Sequence, residues 1–313
     1  MTGALRLGTR RSPMAIAQST TVARMVTART GRAVEIVGIT TAGDTSKAQL
    51  TQIGGTGVFV SALRESLMSG EIDFAVHSLK DLPVASVPEI SMAAVPPRDD
   101  ARDALVARNG AKLADLPSGA RIGTGSPRRA AQLLLMRPDV KPVAIRGNAG
   151  TRLAKITSGE VDAVVLAYSG LARIGRLDVV SQAFEPDEML PAPGQGALAV
   201  ECLASRPDVI DLLGNVDDRA SRAATEAERS VLAALEAGCS APVGAYAAGT
   251  DELRLDAIVV AADGGAALRG SISGPAVAAI RLGREVAADL LARGADRYTD
   301  VSGGHLSNGD DAK

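Results

Sequence analysis

The chain has 313 residues, 46% hydrophobic and 22% charged, with 34 Lys and Arg against 36 Asp and Glu for a net charge of −2. This length suits two or three domains rather than one core, and a nearly neutral chain with no basic block lacks the electrostatic footprint of a nucleic-acid binder. Trp is absent and only three Phe and three Tyr occur, so the core must be aliphatic and base-stacking platforms are missing; no run of about eighteen apolar residues offers a membrane span.

From Met1 the chain runs into an apolar strand at residues 4–8 without a charged and then apolar leader, so a cytoplasmic protein is expected. Further β-branched runs predict strands at 33–40, 72–76, 90–95, 104–107, 121–123, 141–146, 162–167 and 197–202. Helical patterns fall between them at 13–29, 59–68, 127–136 and 151–157, and this alternation signals α/β units on largely parallel sheets. Part of the pattern occurs twice. Gly8-Thr9 followed by Ser12-Pro13 returns as Gly123-Thr124 followed by Ser126-Pro127, each with Ser suited to the N-cap and Pro to the first helical position. Ser69-Gly70-Glu71-Ile72-Asp73 likewise returns as Ser158-Gly159-Glu160-Val161-Asp162.

Two similar α/β domains are the simplest reading, the first built from residues 1–99 with 197–217 and the second from 103–194. Between them lies a cleft lined by strand ends and helix N-termini, where open α/β sheets bind ligands and free N–H groups attract anions. Beyond residue 217 the pattern changes to a long helix over 218–237 closed by Gly238, strands at 243–247, 253–260 and 267–273, and a helix over 275–293. A small α+β third domain over 218–301 follows, with a polar, frayed tail at 302–313.

The chemistry gathers at the predicted strand ends. Arg10, Arg11, Arg128, Arg129, Arg146 and Arg152 all lie just after strands or in the first turns of helices. Guanidinium groups there fit a polycarboxylate or phosphate ligand, although single arginines are commonly no more than solvated surface. Lys80 and Asp81 in the stretch His77-Ser78-Leu79-Lys80-Asp81 also face the cleft; Asp81 suits an acid, a base or a partner for a developing cation, or else a turn carboxylate, and His77 suits a structural hydrogen bond. Cys239 sits on a loop after the long helix, reachable by a ligand or an ordinary loop thiol, whereas Cys202 reads as a half-buried strand residue. Two cysteines make neither a disulfide framework nor a zinc site, and no metal is expected. The Gly-rich stretch 43–57 reads as a lid and matches no nucleotide-binding fingerprint.

Six segments together resemble the hydroxymethylbilane synthase (porphobilinogen deaminase) family over nearly the whole chain. They are Gly8-Thr9-Arg10-Arg11-Ser12-Pro13, Ala75 to Pro83, Ser126-Pro127-Arg128-Arg129, Arg146 to Leu153, Leu190 to Ala197, and Gly238-Cys239. The resemblance implies two periplasmic-binding-protein-like (type II) α/β domains flanking a cleft, plus the small third domain. It also implies an enzyme, a transferase of porphyrin and haem biosynthesis, that joins four porphobilinogen molecules head to tail and releases linear hydroxymethylbilane by hydrolysis.

Its cofactor would be a dipyrromethane held through a thioether to Cys239, and Asp81 would steady positive charge as ammonia leaves. Lys80, Ser126, Arg128, Arg129, Arg146 and Gly147 would bind the cofactor, and Arg10, Ser12, Arg152, Arg173 and Gln195 the substrate. Monomeric behaviour is also implied. In the lid, Gln52 and Thr56 stand where lysines are expected, and Gly125 and Pro127 replace a commoner Ser and Leu. The competing reading is a non-enzymatic carboxylate- or phosphate-binding protein, which would need neither Cys239 nor Asp81.

Overall fold

The structure is a computed structural model that describes residues 3–39, 57–237 and 241–299. The lid over 43–56 with Gln52 and Thr56, the Cys239 segment and the tail lie outside the described residues.

Apolar β-branched runs build the first sheet: β1 (Leu5–Arg10), β2 (Val34–Ile39), β3 (Phe74–Ser78) and β4 (Ile90–Ala94), with helices α1 (Pro13–Thr30) and α2 (Gly57–Met68) between them. The chain then crosses to a second sheet made of β5 (Asp103–Ala107), β6 (Arg121–Thr124), β7 (Lys141–Ala144), β8 (Ala163–Ala167) and β9 (Gln182–Phe184). Its helices are α3 (Pro127–Met136), α4 (Ala149–Thr157) and α5 (Tyr168–Arg173). A second crossover returns the chain to the first sheet as β10 (Leu198–Leu203), followed by α6 (Pro207–Gly214).

The strand orders are β2-β1-β3-β10-β4 and β7-β6-β8-β5-β9. In each sheet the fourth strand, β10 or β5, is the one that arrives by crossover and runs antiparallel to its inner neighbour. The sequence repeat maps onto this likeness. Ser12 Oγ accepts the Ala15 N–H at 3.2 Å and Ser126 Oγ accepts the Arg129 N–H at 3.4 Å, each with Pro opening the helix. Gly8 and Gly123 let buried isoleucines pack onto the strands, since a Cβ there would fall 2.3 Å from the Ile72 Cδ1 and 2.7 Å from the Ile145 Cδ1 and push those side-chain ends aside.

The third unit packs α7 (Arg219–Ala234) and α8 (Ala279–Ala292) on an antiparallel sheet of β11 (Val243–Ala248), β12 (Glu252–Val260) and β13 (Ala267–Pro275). Its aliphatic core includes Val231, Leu255, Val259 and Leu290. It docks on the second lobe through Ile258 and Val260 against Ala131 and Leu190, with an Ala245 N–H to Pro191 carbonyl bond of 3.0 Å.

One helix end differs from expectation. Instead of reaching Gly238, α7 stops at Ala234, and Glu236 takes the left-handed conformation at φ 50°. The Ala237 N–H bonds back to the Leu232 carbonyl at 3.1 Å, which closes the helix in a Schellman pattern. Burial of Leu235 and Ala237, 4% and 6% exposed, pulls the chain into this turn. The last predicted helix likewise begins as a one-turn 3-10 segment, Ala276–Ala278, before α8.

Candidate active site

A cavity of about 620 Å³ opens between the two sheets, within the range of small-molecule sites. The sharp turn from β3 into a 3-10 segment, Leu79–Asp81, brings Ser78, Lys80 and Asp81 to its wall. From the α1 start come Arg10, Ser12 and Met14, and from α4 come Gly147 and Arg152. Gly147 adopts φ 108°, where a Cβ would strike Thr151, and it turns the chain so that Asn148 can cap α4. With Arg129 and Arg173, five cationic side chains among the described residues line a cavity to which, among those residues, Asp81 contributes the one carboxylate.

Most of these cations are held by other groups. Arg129, 5% exposed, donates to Asp103 Oδ1 at 2.9 Å, to the Val165 carbonyl at 3.1 Å and to Gln195 Oε1 at 3.3 Å. Lys80 Nζ donates to the same Gln195 oxygen at 3.1 Å. Burial, helped by repulsion from Arg129 and opposed by Asp81, lowers the Lys80 ammonium to about 8. Burial also lowers Arg152 and Arg173, in Arg152 with repulsion from Arg129 and in Arg173 against attraction from Asp99. Arg152 donates to the Gly147 carbonyl at 2.8 Å, and Arg173 to Asp99 and the Gly196 carbonyl, both at 2.8 Å.

Four of the expected residues do not line the wall. Arg128 is buried in an ion pair with Asp103 at 2.7 Å and a bond to the Leu190 carbonyl at 2.6 Å. Burial alone would raise the Asp103 carboxyl, yet Arg128 and Arg129 carry it down to about 2. Arg146 is exposed outside the cavity, and Ser126 spends its hydroxyl on capping α3. Gln195 is fully buried, and its Nε2 donates to the Ala101 carbonyl at 2.7 Å and Asp103 Oδ1 at 2.9 Å. It reaches the cavity through Lys80 and Arg129 rather than by direct contact. Cys239 lies outside the described residues.

The wall also contains groups not singled out from sequence. Gln18 is 5% exposed and donates to Ser78 Oγ at 2.8 Å. Its signal was readable, since it shares the buried stripe of α1 with Val22 and Val26 at four-residue spacing. Strand registers make Asp81 the counterpart of Gly170, so the repeat carries a carboxylate on one side only. His77 is buried behind the wall, with Nε2 3.3 Å from Glu201 Oε2, an ion-pair distance rather than an aligned hydrogen bond.

The chain is of the class of duplicated α/β proteins in which two lobes enclose a cavity, here lined by cations, with the strand orders of the type II periplasmic-binding-protein-like fold. The chain belongs to the porphobilinogen deaminase family. Residues 5–211 match the family model described as "Porphobilinogen deaminase, dipyromethane cofactor binding domain", and residues 223–292 match "Porphobilinogen deaminase, C-terminal domain". The chain is 59% identical to porphobilinogen deaminase of Thermobifida fusca over 302 residues, 93% of this chain and 94% of that one. It is 55% identical to porphobilinogen deaminase 1 of Streptomyces coelicolor over 306 residues, 93% and 96% of the two chains. Among solved structures, the methionine binding protein MetQ is a distant likeness, with TM-score 0.45 and 10% identity over 68% of this chain and 89% of its own. Among the described residues, no helix is long and apolar enough to cross a membrane.

Proposed function

We propose that the cavity between the two sheets is where this chain carries out the reaction of its family, the deaminative head-to-tail condensation of four porphobilinogen molecules on a dipyrromethane cofactor, with Asp81 as the catalytic carboxylate. One observation carries this reading: among the described residues, a lone carboxylate opposes five cationic side chains in a cavity of about 620 Å³. That donor set fits a cofactor and substrate whose rings each bear an acetate and a propionate.

In this reading Arg10, Lys80, Arg129 and Arg152 hold those carboxylates, while Arg173 sits beside the two crossovers, the hinge between the lobes, through Asp99 and the Gly196 carbonyl. Ser12 and Gly147 border the ligand. Arg128 acts through Asp103, which fixes Arg129, and Gln195 acts through Lys80. The dipyrromethane, attached through Cys239, supplies the free pyrrole carbon at which the chain grows. Asp81 accepts the pyrrole N–H of the incoming porphobilinogen and lies where positive charge develops as the aminomethyl C–N bond breaks and ammonia departs. A fixed carboxylate in a partly dehydrated cavity stabilises that charge without reorganising. The same anion can take the proton displaced when the new carbon–carbon bond forms. Three domains, 1–99 with 197–217, 103–194 and 218–301, fit the three sheets. A cytoplasmic monomer is the accompanying reading, supported in part by the free thiol of Cys202, which suits a reducing compartment.

The intact denatured protein is expected to weigh more than its sequence by one dipyrromethane. Cys239→Ser should remove that adduct and Cys202→Ser should keep it; a wild-type mass equal to the bare chain in active enzyme rejects the attachment. Asp81→Ala should retain the adduct and lose roughly 10²–10³-fold in kcat, and near-normal ammonia release would remove Asp81 from its role.

A further inference from the structure

The Asp81 carboxylate makes no hydrogen bond or ion pair among the described residues, so its direction is inherited from the turn that carries it. That turn is pinned on its inner side by the hinge. The Leu79 N–H donates to the Ala197 carbonyl at 3.0 Å, and Gly194, at φ 76°, packs so closely that a Cβ would lie 3.2 Å from Leu79 and 3.3 Å from the Lys80 nitrogen. The outer side is held by one side chain from the third unit. Arg229 of α7 donates from Nη1 to the carbonyls of Leu79 and Leu82 at 3.2 and 2.9 Å, and from Nη2 to that of Pro83 at 2.7 Å. These carbonyls flank Asp81 in sequence on both sides.

The helix bearing Arg229 is itself fixed. Its neighbour Glu228, fully buried, accepts from Arg98 at 2.6 and 3.0 Å, from the Gly194 N–H at 2.7 Å and from the Ala247 N–H at 2.8 Å. Adjacent residues of α7 thus grip the hinge and the Asp81 turn. We propose that Arg229 is a positioning residue for Asp81, a planar clamp that sets where the carboxylate points from outside the cavity. The proposal rests on Asp81 being the catalytic carboxylate. A planar guanidinium with several fixed donors suits three carbonyls better than a point charge does. Leu79 and Leu82, 0% and 3% exposed, keep the segment docked by burial, so the clamp governs direction more than folding.

The test compares holoenzymes of the wild type, Arg229→Met, Arg229→Lys, Asp81→Asn and the Asp81→Asn/Arg229→Met double variant. Arg229→Met should keep the cofactor mass and the urea midpoint, and lose about 10–100-fold in kcat, as expected for an ångström-scale misplacement, with KM nearly unchanged. Arg229→Lys should recover most of the loss, since an ammonium can still reach two of the carbonyls. In the Asp81→Asn background, Arg229→Met should cost little further, because both changes act through one group. Losses that multiply in the double variant, or an unaltered kcat in Arg229→Met, overturn the clamp, as does a kcat loss that tracks the urea midpoint and that lysine does not restore. If Asp81→Asn alone turns over normally, the Asp81 assignment fails instead.

Discussion

Lys80 faces the cavity with an ammonium that burial has already weakened, and the consequence lies close to neutral pH. Its folded value of about 8 is below the ordinary 10.5, so the charge is present below pH 8 and lost as pH rises through it. Because kcat/KM reports the free enzyme, it should fall as pH climbs past 8. At pH 9 roughly a tenth of the lysine remains charged, which sets the loss at up to about tenfold. Arg in its place stays charged, so Lys80→Arg should flatten that limb; a wild-type profile flat from pH 7 to 9 would show that the ammonium is not used.

The neighbours of Lys80 also show where sequence stops informing. Arg128 and Arg129 occupy one helical turn about 100° apart, so one can face the cavity while the other turns inward. Asp103 pairs with both, and Arg128 is drawn inward by the Leu190 carbonyl, 62 residues further on, a pairing that no local pattern announces. Gln195 carries the same lesson: the family resemblance implies ligand contact for it, whereas the fold of the second crossover buries it.

At the level of elements, the strongest signals were periodicity and caps. Both Ser-Pro helix starts and the α7 start at Asp218, whose side chain accepts the Ser221 N–H at 2.9 Å, were legible because the cap chemistry is local. Short elements were not: β9 has three residues and α5 six, too few to establish a period. The α7 end misled because Gly238 is a good stop signal while the actual stop is set by burial of Leu235 and Ala237. Glu236 is exposed and holds φ 50°, which costs about 1 kcal/mol or more for a residue with a Cβ. Glu236→Gly should therefore raise unfolding stability by about 0.5–1 kcal/mol, read from the urea midpoint at constant slope. A lower midpoint would mean that the Glu236 side chain contributes contacts of its own.

Across the whole molecule, the repeat in sequence pointed to two lobes, and the strand orders bear this out in the placement of one crossing strand as the fourth of each sheet. The insertion of β10 between β3 and β4 was not legible from periodicity, since pairing partners 124 residues apart leave no local trace. That insertion has a consequence for synthesis. All five strands of the second sheet fall between Asp103 and Phe184, so a ribosome completes that sheet while the first still lacks Leu198–Leu203. Until then β4 has no neighbour and β3 presents Phe74, Ala75 and Val76 on an open edge, a hazard for sticking to other nascent chains. Chains truncated at residue 197 should resist protease over 103–184 and be cut within 5–94, so the half of the protein made first is the half that folds last.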